Sequence, residues 1–418
     1  MAESYVLGRG KIFCRGCNST NLFSAIDLGD LPIANELTRT KDESTEKFPL
    51  HLKICPQCGL GQVEDVVKPE RIFSDYRYLS SISTSYVEHA RVYVKSVFDD
   101  LEFRPTDWVL EIASNDGYLL RHFIELGVKV LGLEPAANVM KLALEAGIPT
   151  ECEFFGLETA KNILKNHGHP RLIIANNVLA HVPDIQDFIA GLSVLSGPET
   201  LISVENPSVM NLILADQFDT VYHEHFSYLS AFSVQYLTNM FGLKLYNVED
   251  ISTHGGSNRY WIKKLDTKEA ESPSVAIKIT QELEGGLLEQ SEWSALNSRV
   301  KGILNDFSEW LEESYATGKR VFGYGAAAKA STLLNSARIK KEWLEAIADG
   351  SNEKQGRYMP SLGIPILPAQ SIAHLNPTDI VIFPWNIRLE LVKQIRKEFG
   401  PKVRIWQAVP ALRELSNS

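Results

Sequence analysis

Long apolar runs are missing from this chain. No stretch of about 18 apolar residues occurs, so no transmembrane helix is expected. Basic charge is also in short supply: 42 Lys and Arg face 52 Asp and Glu, a formal net charge of −10. That balance argues against binding nucleic acid or an anionic membrane through bulk charge. It leaves room for a local basic pocket around a phosphorylated substrate. Cysteine is scarce, at five residues in 418. The start, Met-Ala-Glu-Ser-Tyr, lacks the basic and apolar regions of a signal peptide, which makes a cytoplasmic protein the expectation. What is present, 44% hydrophobic and 22% charged residues, is the composition of a globular protein. The length exceeds one ordinary core and predicts two or three domains.

The few cysteines are ordered. Cys14/Cys17 and Cys55/Cys58 form two C-x2-C pairs, and Cys152 stands alone. Each pair puts two thiolates on one tight turn, and two turns close a tetrahedron around zinc. The competing reading is redox-active or unpaired thiols. A closed four-thiolate site has no open position, so the zinc is expected to be structural. Cys152 reads as a small buried residue.

The pattern along the chain predicts an α/β fold in three parts: a zinc-binding module over 1–75, a central Rossmann-like domain over 76–270 and a C-terminal Rossmann-like domain over 271–418. A helix is expected from Tyr86 to Leu101, with Tyr86, Ala90, Val92, Tyr93, Val97 and Phe98 on one face. Strands read at Trp108–Ile112, Val128–Leu133, Leu172–Asn176 and Thr200–Glu205, with helices between, which predicts a parallel sheet covered on both faces. Exposed helices fill Ser272 to Thr317. A second βα series then starts with Arg320–Gly325 and includes Asp379–Pro384 and Val403–Trp406.

The most informative segment is Val109-Leu110-Glu111-Ile112-Ala113-Ser114-Asn115-Asp116-Gly117. A strand entering a tight turn and a helix, at the carboxyl edge of a parallel sheet, is where α/β proteins bind nucleotide-like cofactors. Gly117 lets the backbone approach closely. Glu134-Pro135 ends the second strand about 20 residues later, where a carboxylate meets ribose hydroxyls or caps the next helix. Asn176 and Asn177 end a third strand at the switch point. Phe154 and Phe155 either sandwich an adenine or belong to the core. With only one glycine in the turn, the three-glycine dinucleotide pattern is absent. The segment resembles instead the E-x-x-x-x-D-G signature of S-adenosylmethionine (SAM) methyltransferases, with Ala113 where many have glycine.

The densest polar cluster is Tyr222-His223-Glu224-His225. Histidine accepts protons near neutral pH, a carboxylate orients it, and a tyrosine hydroxyl stabilises an oxyanion. The rival readings are a second metal site on His223 and His225, and a structural histidine pair. His181 follows the Asn176-Asn177 strand end. Tyr76 and Tyr78 lie in a tyrosine-rich loop that either closes over a substrate or packs against the larger domain.

Together these residues resemble the sugar C-methyltransferases, which act at C3 of nucleotide-linked 4-keto-deoxy sugars. The likeness covers nearly the whole chain: the cysteine pairs, the Glu111–Gly117 turn, Asn177–Asp184, Tyr222–His225, Gly255–Arg259, Gly323–Lys329 and Gly356–Pro360. It implies SAM as cofactor at Glu111, Asn115, Asp116, Gly117, Glu134, Pro135, Asn176 and Asn177. It implies His225 as the base that removes the C3 proton. Tyr222, Glu224 and Tyr76 would hold the enolate or sugar, with His181 near the methyl group. It implies a thymidine- or guanosine-diphosphate sugar, met by Tyr78, Asn206, His223, Ser257, Asn258 and Arg259. Tyr324, Lys329, Asn352, Tyr358 and Trp385 would meet it from the C-terminal domain. Arg259 would pair with a phosphate and the Gly323–Gly325 turn would cradle the diphosphate. An NAD-type C-terminal domain, a sugar O-methyltransferase and a zinc-bearing protein that binds ligands without catalysis are the alternatives.

Overall fold

Three sheets organise the chain in the computed structural model, which describes residues 12–63, 71 and 79–415. The first is built from β1 (Phe23–Pro32), β2 (Lys47–Ile54) and β3 (Gly61–Val63), all antiparallel. Alternation in β2 buries Leu50, Leu52 and Ile54 and leaves Lys47 and Pro49 outside.

The central sheet starts with β4 (Trp108–Ile112), β5 (Lys129–Leu133), β6 (Thr150–Glu151), β7 (Leu172–Asn176) and β8 (Leu201–Pro207), all parallel. Every residue of β4 is buried, because helices cover both faces. Leu110 and Ile112 pack with the helix Ile185–Leu195, whereas Val109 packs with the helix Thr84–Leu101. In that second helix Ala90, Tyr93, Val94 and Val97 face the sheet, and Val92, expected there, is exposed.

β9 (Ser227–Tyr228) leaves this domain and pairs with β3, becoming the fourth strand of the N-terminal sheet. β10 (Leu243–Ile251) and β11 (Ser257–Lys264) then return, and β11 runs antiparallel to β8. The central sheet is therefore mixed, not the purely parallel sheet read from the sequence. Its order is β10-β11-β8-β7-β4-β5-β6.

The third sheet comprises β12 (Val321–Tyr324), β13 (Ile347–Ala348), β14 (Ile366–Leu367), β15 (Asp379–Ile382), β16 (Arg404–Gln407) and the antiparallel β17 (Arg413–Glu414). Its order, β14-β13-β12-β15-β16-β17, repeats the central arrangement of a first strand at the switch point. The helix Gln290–Ala316 ties the units together. Its buried stripe of Trp293, Leu296, Val300, Ile303, Phe307 and Leu311 joins one core with the N-terminal and C-terminal sheets. Among the described residues no helix is long and apolar enough to cross a membrane.

Candidate active site

The four paired cysteines converge. Their Sγ atoms all lie within 4.8 Å of one another, with Cys14 3.4 Å from Cys58 and Cys17 3.5 Å from Cys55. Each pair sits on a knuckle: the Asn18 amide donates to the Cys14 carbonyl, and the Gly59 amide to the Cys55 carbonyl. Asn18 and Gly59 close the two turns at φ 61° and 68°. Four sulfur donors this close, with Cys14, Cys55 and Cys58 fully buried, fit a tetrahedral zinc ion.

The turn after β4 lies at the switch point between β4 and β7. Ala113, Asn115 and Gly117 all take left-handed φ, at 54°, 51° and 74°. The Asn115 amide donates to Glu134 Oε2 at 3.0 Å, and the Ala136 amide to Glu134 Oε1 at 2.9 Å. Glu134 thus both caps the next helix and faces the turn. Burial raises its carboxyl, against the pull of those amides. Burial, then the charges of Asp116 and Glu134, pushes the Glu111 carboxyl well above the usual range. Glu111 Oε2, Asp116 Oδ1 and Asn176 Oδ1 are buried acceptors with no hydrogen-bond partner among the described residues. Buried acceptors call for donors, and the ammonium and ribose hydroxyls of SAM are donors. Asn177, at φ 55°, donates through Nδ2 to the Tyr86 hydroxyl at 2.9 Å, and Tyr86 stacks on Tyr118. Ser80 and Ser81 close the turn from outside by donating backbone amides to Asn115 and Asp116.

Beyond the edge of β8, the 222–228 loop brings the candidate bases together. The Tyr222 hydroxyl lies 2.9 Å from His225 Nε2, with ring centroids 4.0 Å apart. The His181 ring is 4.7 Å from His225. His181 Nδ1 donates to the Glu224 carbonyl at 2.6 Å, so Nε2 carries the lone pair. Burial lowers His181 to about 4 and keeps it neutral. A cavity beside them is lined by Ala180, Asn206, Ser208, Gln217, Thr220 and His225. Asn206 accepts from the Ala180 amide through Oδ1, and its buried Nδ2 has no partner among the described residues.

Several expected site residues face elsewhere. The Glu224 carboxylate accepts from the Asn35 amide and side chain, at 3.0 and 3.1 Å, in the zinc module. His223 is fully buried and donates to the Phe48 carbonyl on β2. Neither histidine neighbours a third ligand, and the one metal-competent cluster among the described residues is the cysteine set. Arg259 is committed to Glu205 at 3.1 Å and Glu249 at 3.3 Å, over the Tyr93 ring, because β11 places it inside the sheet. Ser257 and Asn258 are likewise buried in that hairpin, bonded to Thr253 and Tyr260. The Tyr324 hydroxyl donates to Glu398. In the Gly323–Gly325 turn the Ala326 amide is taken by Asp349, at the tip of β13. Lys329 lies over the Trp385 ring at 5.5 Å, and Trp385 donates to the buried Asp219 at 2.7 Å. Tyr358 pairs its backbone with Thr38, and Asn352 is exposed. Cys152 is exposed rather than buried, because it follows the short edge strand β6. Phe155 packs on Phe188, while Phe154 is half exposed. Tyr76 and Tyr78 lie outside the described residues. Asn35, Tyr86 and Asp219 carry no pattern that singles them out in the sequence.

Residues 14–73 match a family of zinc binding domains, residues 86–248 a methyltransferase domain, and residues 252–410 a C-methyltransferase C-terminal domain. The chain is 31% identical over 389 residues to the C-methyltransferase NovU of Streptomyces niveus, spanning 92% of each protein. Among solved structures it is similar to a SAM-dependent methyltransferase from Anabaena variabilis, at 14% identity and TM-score 0.34 over 42% of this chain and 84% of that one. It is also similar to the magnesium protoporphyrin IX methyltransferase of Synechocystis with bound SAM, at 14% identity and TM-score 0.33 over 47% and 88%. The chain belongs to the C-methyltransferases that join a zinc binding domain to a methyltransferase domain, and it is a SAM-dependent, zinc-binding C-methyltransferase.

Proposed function

We propose that the chain methylates C3 of a nucleotide-linked 4-keto-deoxy sugar. The observation that carries this reading is the meeting of His225, Tyr222 and neutral His181 beside the carboxyl edge of the cofactor sheet, with His225 lining a cavity that Asn206 also lines. A carbon acid needs a base, and a keto group at C4 acidifies the C3 proton. His225 Nε2 takes that proton. The electron pair of the C–H bond moves into the enolate, whose negative charge rests on O4. The Tyr222 hydroxyl, which sits on His225 Nε2 in the structure, turns from it to donate to that oxygen, which frees the Nε2 lone pair for the C3 proton. His181 offers a lone pair without adding positive charge. Bound SAM supplies the electrophilic methyl group. Glu111, Asp116, Glu134, Asn176 and Asn177 would hold it, and Asn206 the sugar.

The C-terminal domain is the second wall in this reading. Lys329, Trp385 and Tyr358 are the residues left to meet the nucleoside diphosphate, since Arg259 is held by Glu205 and Glu249. We divide the chain accordingly into 1–75, 76–270 and 271–418, one sheet to each unit except for the exchanged β9.

The test is incubation in heavy water with SAM and a panel of nucleotide 4-keto-6-deoxy sugars, followed by mass spectrometry and NMR. A product heavier by one methyl group, attached to C3, is expected. With SAM omitted, the wild type should still exchange deuterium into C3. His225→Ala should slow that exchange by about 10²-fold or more, the usual worth of a general base. Methyl on oxygen, or C3 exchange that survives His225→Ala, overturns the reading.

A further inference from the structure

The catalytic loop is not carried by the cofactor domain alone. Its β9 is a strand of the zinc module's sheet, paired Gly61 to Tyr228 and Gln62 to Ser227. The Val63 amide adds a bond of 3.3 Å to the Phe226 carbonyl, one residue from His225. Strand β3 itself begins three residues after Cys58, the last thiolate of the second knuckle. The first knuckle reaches the same place through a side chain. Arg15, between Cys14 and Cys17, donates Nη1 to the Val63 carbonyl at 3.2 Å and Nη2 to the Phe226 carbonyl. Its backbone is fixed on both sides. The Arg15 amide donates to the buried Gln62 side chain at 2.8 Å, and its carbonyl accepts from Gln186 at 3.0 Å. Gln62 in turn donates to the Phe13 carbonyl at 3.0 Å.

The geometry points to Arg15 as a positioning residue that couples the zinc knuckle to the His225 loop. A guanidinium carries its donors in a rigid fork, so one side chain can hold the two carbonyls where β3 hands over to the loop. Its reach is set by Cys14 and Cys17, and the metal set by those thiolates fixes the fork. The zinc site then does more than hold its own module together: it sets where the base stands. This rests on the reading of 222–228 as the catalytic loop.

The test compares wild type, Arg15→Lys and Arg15→Met as full-length zinc-loaded proteins. A methionine keeps the length of the stem and cannot donate. For Arg15→Met, kcat should fall at least tenfold. Zinc content, SAM affinity by calorimetry and KM for the sugar should stay within twofold. Arg15→Lys, able to hold one carbonyl, should recover part of kcat. Amide hydrogen exchange read by mass spectrometry should rise in 222–228, and not in β4 or β7. Wild type stripped of metal by a chelator should show the same local rise. That exchange readout needs no substrate, so it stands even if no nucleotide sugar is turned over, in which case only the reaction assigned above falls. If Arg15→Met leaves kcat within twofold, if its losses follow zinc content or SAM affinity, or if exchange in 222–228 is unmoved, the coupling is wrong.

Discussion

His181 shows how much of this site is set by burial. Its Nδ1–H is spent on the Glu224 carbonyl, and desolvation brings its pKa from 6.5 to about 4. The folded state therefore disfavours the charged ring. Stability is unaffected above pH 6.5 and is lost as pH falls toward 4, by about 3 kcal/mol if the whole shift is expressed. The ring should stay neutral from pH 5 to 8. Nitrogen NMR of labelled protein should show no titration of His181 in that range, and a midpoint near 6.5 would contradict its placement. At this scale the sequence was partly legible. The Tyr222–His225 run stood out because reactive side chains are dense there. The roles of Glu224 and His223 did not, since their partners Asn35 and Phe48 lie 189 and 175 residues away. Arg259 was misread for the same reason: a lone arginine looks like a phosphate ligand until the strand that buries it beside Glu205 is known.

The element that most constrains the cofactor site proposed above is the turn after β4. Three of its residues sit in the left-handed region, and only Gly117 escapes the Cβ penalty. A Cβ on Gly117 would also stand 2.5 Å from Ile148 Cγ1, on a side chain packed behind the turn. Gly117→Ala should therefore shift the turn away from Ile148, in the segment that leads into β6. A strain of about 1–3 kcal/mol placed on these amides predicts at least a tenfold loss of SAM affinity by calorimetry; unchanged affinity would show that the turn does not seat the cofactor. The βα rhythm was legible because fully buried parallel strands read as short apolar runs bounded by polar turns. Strands β10 and β11 were not. β10 loses its alternation after Leu245, β11 runs Ser-Asn-Arg into Tyr-Trp-Ile without alternating, and the glycines between them, Gly255 and Gly256, read as a binding loop rather than as a sheet edge. β9 is two residues long, and nothing local marks which sheet it joins.

At the scale of the whole molecule, three sheet-bearing units were legible from the cysteine pairs and the βα pattern along the chain, while the joints between them were not, because each is made by residues far apart in sequence. The joint between the cofactor and C-terminal domains centres on Asp219. Its Oδ2 accepts from the Trp385 indole, and Trp385 in turn lies against Gly255 so closely that a Cβ there would be 2.6 Å from the ring. Lys329, under the same indole, is the nearest positive charge. Burial raises the Asp219 carboxyl to about 6, with Lys329 and the indole opposing. A raised acid costs stability where it must ionise: the penalty is absent below about pH 4, grows between pH 4 and 6, and is complete above 6. Asp219→Asn keeps an acceptor for the indole and removes the titration. Relative to wild type, the variant should therefore gain stability as pH rises from 4 to 6, by up to about 3 kcal/mol. Loss of the partner charge to Lys329 offsets part of that gain above pH 6 by lowering the lysine's own pKa further. Urea unfolding of both proteins across this range, followed by tryptophan fluorescence, checks the slope. Parallel stability curves would mean that Asp219 ionises freely, and that the two domains meet over a wetter joint than the buried indole implies.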